Sequence, residues 1–299
     1  MPGRRLCPEE NAIQRGFGGA ACARRRQILQ ETVTAFLSSD RPDHYHQLAK
    51  QNLDRWRKNS GRSATSLRIE VIPEDWGVVA QRLTSSYGHC FAVLNMANAY
   101  SPGGAYVEGA PAQEENMFRR TDCHFRIRED EFDPELELYR PDVTKLLSAH
   151  KGAVYLDVQY PRVCIRGPED RSKPDLGYPW LPDDQVFPFF ELRAAACDLR
   201  DGSAFDPDAA RRRISAQLDT LRAHHIRHAV LGAFGCGAFL NPAQHVAQIY
   251  YEEILARAAD FSVIAFPIIS AGYGPDNFQP FANTFCDWYA KPGTAHMFT

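Results

Sequence analysis

The alternation of strand-like and helix-like segments in the last third of the chain constrains the fold most. Asp206–His225 is amphipathic and reads as a helix, and His228–Phe234 reads as a strand. Asn241–Ala259 reads as a helix, Ser262–Ile269 as a strand and Asn277–Tyr289 as a terminal helix. Upstream, Cys90-Phe91-Ala92-Val93-Leu94 is a continuous apolar run, the pattern of a strand buried on both faces. Such alternation implies an α/β chain with a mixed, largely parallel sheet covered by helices on both sides.

The rest of the chain fits around that core. Ile28, Leu29, Val33, Phe36 and Leu37 recur at helical spacing, so a helix is expected over 24–37 and a second near 44–56. Leu67–Ile72 alternates as a strand, and Trp76–Leu83 and Ala112–Arg120 read as helices. The charge-rich stretch 125–145 should be surface structure, with the acidic run Glu129–Glu137 as a solvated face. Two short strands are expected in 153–165, a long loop in 167–188 and a strand in 186–197. No repeat or linker is visible. The expected organisation is an N-terminal arm and helical extension over 1–60, then one core unit over 61–299.

Composition excludes several function classes. The chain has 299 residues, 44% hydrophobic and 24% charged, which rules out a disordered or collagen-like protein. Its net charge of -3 argues against a nucleic-acid coat, and no apolar stretch is long enough to span a bilayer. Neither nucleic acid nor membrane is therefore an expected partner, and a monomer is the expected state. The eight cysteines are scattered, with no CxxC pair and no histidine at zinc-ligand spacing, so neither disulfides nor a metal site is expected. No apolar run follows Arg4 and Arg5, so no secretory signal is visible. The expected compartment is cytoplasmic, with delivery as an effector by a non-classical route left open.

Ligands of open α/β sheets bind beyond the carboxyl ends of strands. Two loops sit there. One is Asn95-Met96-Ala97-Asn98-Ala99-Tyr100-Ser101-Pro102-Gly103-Gly104-Ala105, and the other is Gly232-Ala233-Phe234-Gly235-Cys236-Gly237-Ala238-Phe239. Their paired glycines suit a phosphate or diphosphate cradle, and tight turns explain the same glycines equally well. Neither is a Walker A loop, and neither matches GxGxxG well. Between them lies Gln113-Glu114-Glu115 at the start of a helix. Acids are favoured there by the helix dipole alone. On a helix, Glu115 shares a face with Arg119 and Asp122, so Asp122 could raise the Glu115 pKa or Arg119 could form a surface ion pair with it. Tyr273 and Asn277 follow the last strand and could line a base site, or could be core and capping residues.

In combination these pieces resemble a known family. The run Leu94–Ala105, a seven-residue spacer Tyr106–Ala112 and then Gln113-Glu114-Glu115 resembles the signature of the bacterial-type poly(ADP-ribose) glycohydrolase / macrodomain ADP-ribosylhydrolase family. That signature is a triple-glycine stretch, a short spacer and Gln-Glu-Glu. Leu231–Pro242 looks like the family's second diphosphate loop, and the basic helix 23–36 and the segment 273–281 also look similar. Ala105 stands where the third glycine is usual.

The resemblance implies a macrodomain-like three-layer α/β/α sandwich that binds ADP-ribose through residues of the 61–299 unit. By position, Glu115 matches the catalytic acid, Glu114 the acid that holds the ribose hydroxyls, and Asn98 a ribose contact. Gly103, Gly104, Ala105, Gln113, Gly235, Cys236, Gly237, Ala238 and Phe239 match ligand-contacting positions. The implied partners are ADP-ribose and an ADP-ribosylated protein, with no cofactor. A related sub-branch removes single ADP-ribose units from arginine, including on ubiquitin, using extra acids, and Asp122 raises that option as a third catalytic acid. The implied activity is hydrolysis of the ribose glycosidic bond, in a polymer or in a mono-ADP-ribosyl link. Two rival classes are a macrodomain that reads ADP-ribose without cutting it and a phosphatase acting on ADP-ribose 1''-phosphate.

Overall fold

A computed structural model describes residues 4–38, 43–61, 66–270, 274–286 and 288. The chain opens with three helices, α1 (Glu9–Gln14), α2 (Ala20–Leu37) and α3 (His44–Asn59). Then come β1 (Arg68–Ile72), α4 (Trp76–Tyr87), β2 (Ala92–Met96) and α5 (Gln113–Arg120). A small hairpin, β3 (Phe132–Asp133) and β4 (Leu138–Tyr139), precedes α6 (Pro141–Leu147), β5 (Tyr155–Cys164) and β6 (Phe187–Ala194). The chain ends with α7 (Pro207–Ala223), β7 (His228–Val230), α8 (Ala243–Leu255), β8 (Val263–Pro267) and α9 (Phe278–Phe285).

Six strands form one sheet in the order β1-β8-β7-β2-β6-β5. All pairings are parallel except β5 against β6. The apolar runs in the sequence are explained by two-sided burial. Ala92 and Leu94 of β2 and Ile264 and Phe266 of β8 pack into one cluster, with residues of α7, α8 and α9. Val93 of β2 and Val263 and Ala265 of β8 point the other way, among residues of α2, α4, α5 and α6. This is the two-residue period of a strand, with helices on both faces. The fold is the expected mixed α/β sandwich. Among the described residues, no helix is long and apolar enough to cross a membrane.

The differences from expectation are local. The stretch 153–165 is one strand, not two, with an irregularity in pairing between Asp157 and Arg162. The strand expected over 228–234 ends at Val230, and the chain then turns at Gly232, whose carbonyl accepts from the Phe234 N–H at 2.9 Å. The N-terminal helices are integrated with the core. Leu29 and Val33 of α2 join the second cluster, and the Thr32 hydroxyl donates to the Arg119 carbonyl of α5 at 2.7 Å. Within the acidic run expected to be solvated, Glu131 is buried and lies 3.4 Å from Arg193.

The central strands carry a buried charge network. Glu191 of β6 accepts from Arg162 Nε at 2.8 Å, Arg193 Nε and Nη2 at 3.0 Å each, and Asn95 Nδ2 at 2.8 Å. Glu191, Arg162 and Arg193 are fully buried. Burial opposes ionisation of Glu191, but the two guanidiniums outweigh it and hold the carboxyl down at about 2. A carboxylate with a depressed pKa stabilises the fold above the ordinary Glu range near ~4.3, and that contribution is lost as pH falls through the folded value. Glu191→Gln is expected to lower stability by roughly 3–5 kcal/mol at pH 7 in urea unfolding. The gap between parent and variant should close as pH falls towards about 2.

Candidate active site

The parallel strands deliver their carboxyl ends to one side of the sheet, and a cavity of about 630 Å³ opens there. Glu74, Asp75 and Trp76 follow β1, Asn98 follows β2, and Ala196 and Arg200 follow β6. Leu231, Ala233, Gly235, Gly237, Ala238 and Phe239 follow β7, and Ile268, Ile269 and Ser270 follow β8. Gln113, Glu114 and Glu115, at the start of α5, also line it. Its size suits a nucleotide-scale ligand.

The first glycine-rich loop holds the two glutamates. Glu114 accepts from the Asn98 N–H at 2.7 Å and the Gly103 N–H at 3.1 Å. Glu115 accepts from the Ala105 N–H at 3.1 Å. Gln113 clamps α5 to the end of β2, accepting from the Met96 N–H and donating to the Leu94 carbonyl, both at 3.0 Å. Gly104 is required where it stands. Its φ is +58°, and a Cβ there would lie 2.4 Å from Glu115 Oε1. Burial is the main influence on both acids. It pushes Glu114 well above the ordinary range, with the Glu115 charge adding to the effect, and it raises Glu115 despite the Ala105 N–H and Arg119.

The amides of Gly103, Gly104 and Ala105 are thus taken up within the protein. The N–H groups of Gly103 and Ala105 face the carboxylates, that of Gly104 donates to the Ser101 carbonyl, and none of the three lines the cavity. Asn98 lines the cavity, but its Oδ1 accepts from the N–H groups of Tyr100 and Ser101 and shapes the loop.

The second loop faces outward. Gly235 has φ +74°, and a Cβ there would meet Ala196 Cβ at 2.5 Å and Asn241 Nδ2 at 2.7 Å. Asn241 ties the loop by donating to the carbonyls of Cys197 and Gly235. Gly237 and Ala238 are exposed, and their N–H groups, with that of Phe239, have no acceptor within the described residues. They are free to meet an anion. Cys236 is buried, with its thiol pushed up to about 12 by burial, and its carbonyl accepts from Asn277 Nδ2 at 3.3 Å. Asn277 lines the cavity, and its buried Oδ1 has no partner among the described residues. Tyr273 lies outside the described residues.

Asp122 is not with Glu115. Helix α5 ends at Arg120, and Thr121 is extended with ψ 176°. The helical face expected to carry Asp122 has stopped before reaching it. Asp122 instead meets His46 Nε2 at 2.9 Å and Arg126 Nε at 2.9 Å and accepts from the Val163 N–H at 2.8 Å. Burial disfavours its charge, but His46, Arg126 and Arg162 prevail and hold its pKa below the ordinary value. It is a structural link between α3 and β5. Arg119 is no surface residue either: it is fully buried and donates to Tyr178 Oη and the Ala110 carbonyl.

The sequence reading missed Trp76, Arg200 and the Pro168–Arg171 part of the long loop, all at the cavity wall. Trp76 follows β1 and Arg200 follows β6. Applying the carboxyl-end rule to every parallel strand would have found both.

Residues 11–154 match the family model for the microbial-type PARG catalytic domain. The sequence match is to microbial-type PARG. It takes in Asn98, the Gly103–Ala105 loop and Gln113–Glu115. The fold agrees over most of the chain. The poly(ADP-ribose) glycohydrolase (PARG) from Thermomonospora curvata superposes with a TM-score of 0.61 at 24% identity, over 87% of this chain and 99% of that one. The same protein bound to the inhibitor ADP-HPD superposes with a TM-score of 0.59 at 24% identity, over 87% of this chain and 99% of that one. The PARG from Deinococcus radiodurans, in complex with ADP-ribose, superposes with a TM-score of 0.54 at 22% identity, over 81% of this chain and 92% of that one. No curated protein matches the chain.

The first glycine-rich loop makes a direct prediction. Gly104→Ala sets a Cβ against Glu115 and strains a positive φ. It should cost about 1–3 kcal/mol, read as a lower urea midpoint at unchanged slope.

Proposed function

We propose that the chain is a glycosidase-type hydrolase that cleaves the ribose glycosidic bond of ADP-ribose polymers and releases ADP-ribose. The observation that carries this reading is the placement of Glu115. Its buried carboxyl, with a raised pKa, lines the same cavity as the unpartnered N–H groups of Gly237 and Ala238. The PARG structures that share the fold are described with ADP-ribose or an inhibitor bound, which supports ADP-ribose as the ligand.

The chemistry follows from that placement. The amides of the second loop would hold the diphosphate, which needs no basic surface. The Asn277 Oδ1 offers an acceptor for a base amine. Binding energy from these remote groups orients the anomeric carbon towards Glu115. Burial raises the Glu115 pKa and so favours the protonated form, which gives its proton to the departing oxygen as the C–O bond breaks. Positive charge then develops on the ribose, and the new carboxylate stabilises it. The carboxylate takes a proton from water as that water bonds to the anomeric carbon, which restores the acid. Glu114, whose oxygens accept from Asn98 and Gly103, keeps the loop closed beneath the ribose. The arginine-link option rested on Asp122, which faces away from this cavity, and it has no support here.

Glu115→Gln is expected to lower ADP-ribose release from polymer by roughly 10²–10⁴-fold. Calorimetric affinity for ADP-ribose should stay within a few-fold of the parent. Undiminished release would sink the assignment, and binding without release by the parent protein would make it a reader. The rate of the parent should fall as pH rises through the Glu115 pKa, because the proton donor is then lost. That alkaline limb should sit above the ordinary Glu value of ~4.3.

A further inference from the structure

The N-terminal arm reaches the catalytic loop from a hundred residues away. Arg4 is buried, and its Nη1 donates to the Gly104 carbonyl at 2.5 Å. Its Nη2 reaches Glu108 Oε1 at 3.1 Å and Glu137 Oε2 at 3.0 Å. Glu108 is itself buried and also accepts from Arg15 Nη1 at 2.5 Å. The guanidinium lies 5.9 Å from the Tyr106 ring centroid. Arg4 thus joins three segments: the arm, the loop after the glycines and the turn of the β3–β4 hairpin.

The atom that Arg4 holds matters most. The Gly104 carbonyl and the Ala105 N–H belong to one planar peptide unit. Arg4 grips one end of that unit, and the other end donates to Glu115 Oε1 at 3.1 Å. Glycine at 104 gives the unit rotational freedom that a residue with a Cβ would not have. A charge-assisted bond to the carbonyl removes that freedom and polarises the N–H, which strengthens its bond to the carboxyl.

We propose that Arg4 is a positioning residue for Glu115, acting through the Gly104–Ala105 peptide, so that the N-terminal arm belongs to the catalytic apparatus. This rests on Glu115 being the proton donor. Losing Arg4 weakens the N–H bond to the charged form of Glu115, so its pKa rises further. The other ionisable groups that act on Glu115 are Glu114, Glu108, Arg119 and Arg200, and the test leaves all of them in place.

The test compares full-length Arg4→Ala, Arg4→Lys, Arg15→Ala and Glu115→Gln proteins on an ADP-ribose polymer across pH. Arg4→Ala should lower kcat by about tenfold, leave KM and ADP-ribose affinity nearly unchanged, and move the alkaline limb up by about half a pH unit. Arg4→Lys should recover part of kcat. Arg15→Ala loosens the same arm, since Arg15 is half-exposed and bonds Glu108 but not Gly104, and it should leave the profile unmoved. An unmoved limb in Arg4→Ala, or an equal loss in Arg15→Ala, overturns the proposal while Glu115→Gln remains inactive. Should Arg4→Ala fail to fold, the limb is read in Arg4→Lys, where a value identical to the parent's with full kcat counts against the proposal. Activity retained in Glu115→Gln would overturn the functional reading itself.

Discussion

Two adjacent carboxyl groups, Glu114 and Glu115, are buried at the start of α5, and much of the surrounding structure follows from that constraint. Burying a carboxyl without partners costs several kcal/mol, more if it is charged. The first glycine-rich loop meets this demand with the N–H groups of Asn98, Gly103 and Ala105. The close pass needs glycine at 104, and the register of the loop needs Gln113 to fasten α5 to β2. A loop that looks like a phosphate cradle in sequence is here a carboxylate cradle. The amides without an acceptor among the described residues come instead from the loop after β7.

The acids sit beside a second buried charge system. Arg193 and Glu191 influence Glu114 in opposite senses, the first lowering and the second raising its pKa. Arg193 is itself held by Glu191, Glu131 and Tyr139, with the Tyr155 ring centroid 4.3 Å away. Arg119 and Arg120 extend the same logic along α5. Arg120 pairs with Asp75, the residue that caps α4, and lies 4.6 Å from the Trp76 ring centroid. Helix α5 therefore carries charges on buried positions and is fixed on several sides by partners from other elements. That rigidity fixes the first turn of the helix, and with it Glu114 and Glu115, against the cavity.

Much of the architecture was legible in the chain. The apolar run at β2 marked a strand buried on both faces, Ser262–Ile269 marked the strand β8, and helical spacing and amphipathicity marked α2 and α7. The two glycine-rich loops and the glutamate pair marked the side of the sheet where the cavity opens. What misled was helical extrapolation. Asp122 shares a face with Glu115 only if α5 runs past Arg120, and Thr121 is extended instead. Charge patterning misled in the same way, because a lone Glu131 or Arg119 looks solvated until the remote partner that buries it is known.

The sequence by itself determined the layered α/β arrangement, because strand and helix periodicities are local and the apolar runs admit only two-sided burial. It also determined which loops lie beyond the strand ends, since chain order and parallel pairing leave them no other place. Only the tertiary structure decided which N–H groups hold acids and which face the cavity, because that depends on peptide orientations in the glycine loops. It also decided that Asp122 binds His46 and that Arg4 reaches Gly104. Those contacts join residues 76 and 100 positions apart, and no local pattern along the chain encodes the distance between them.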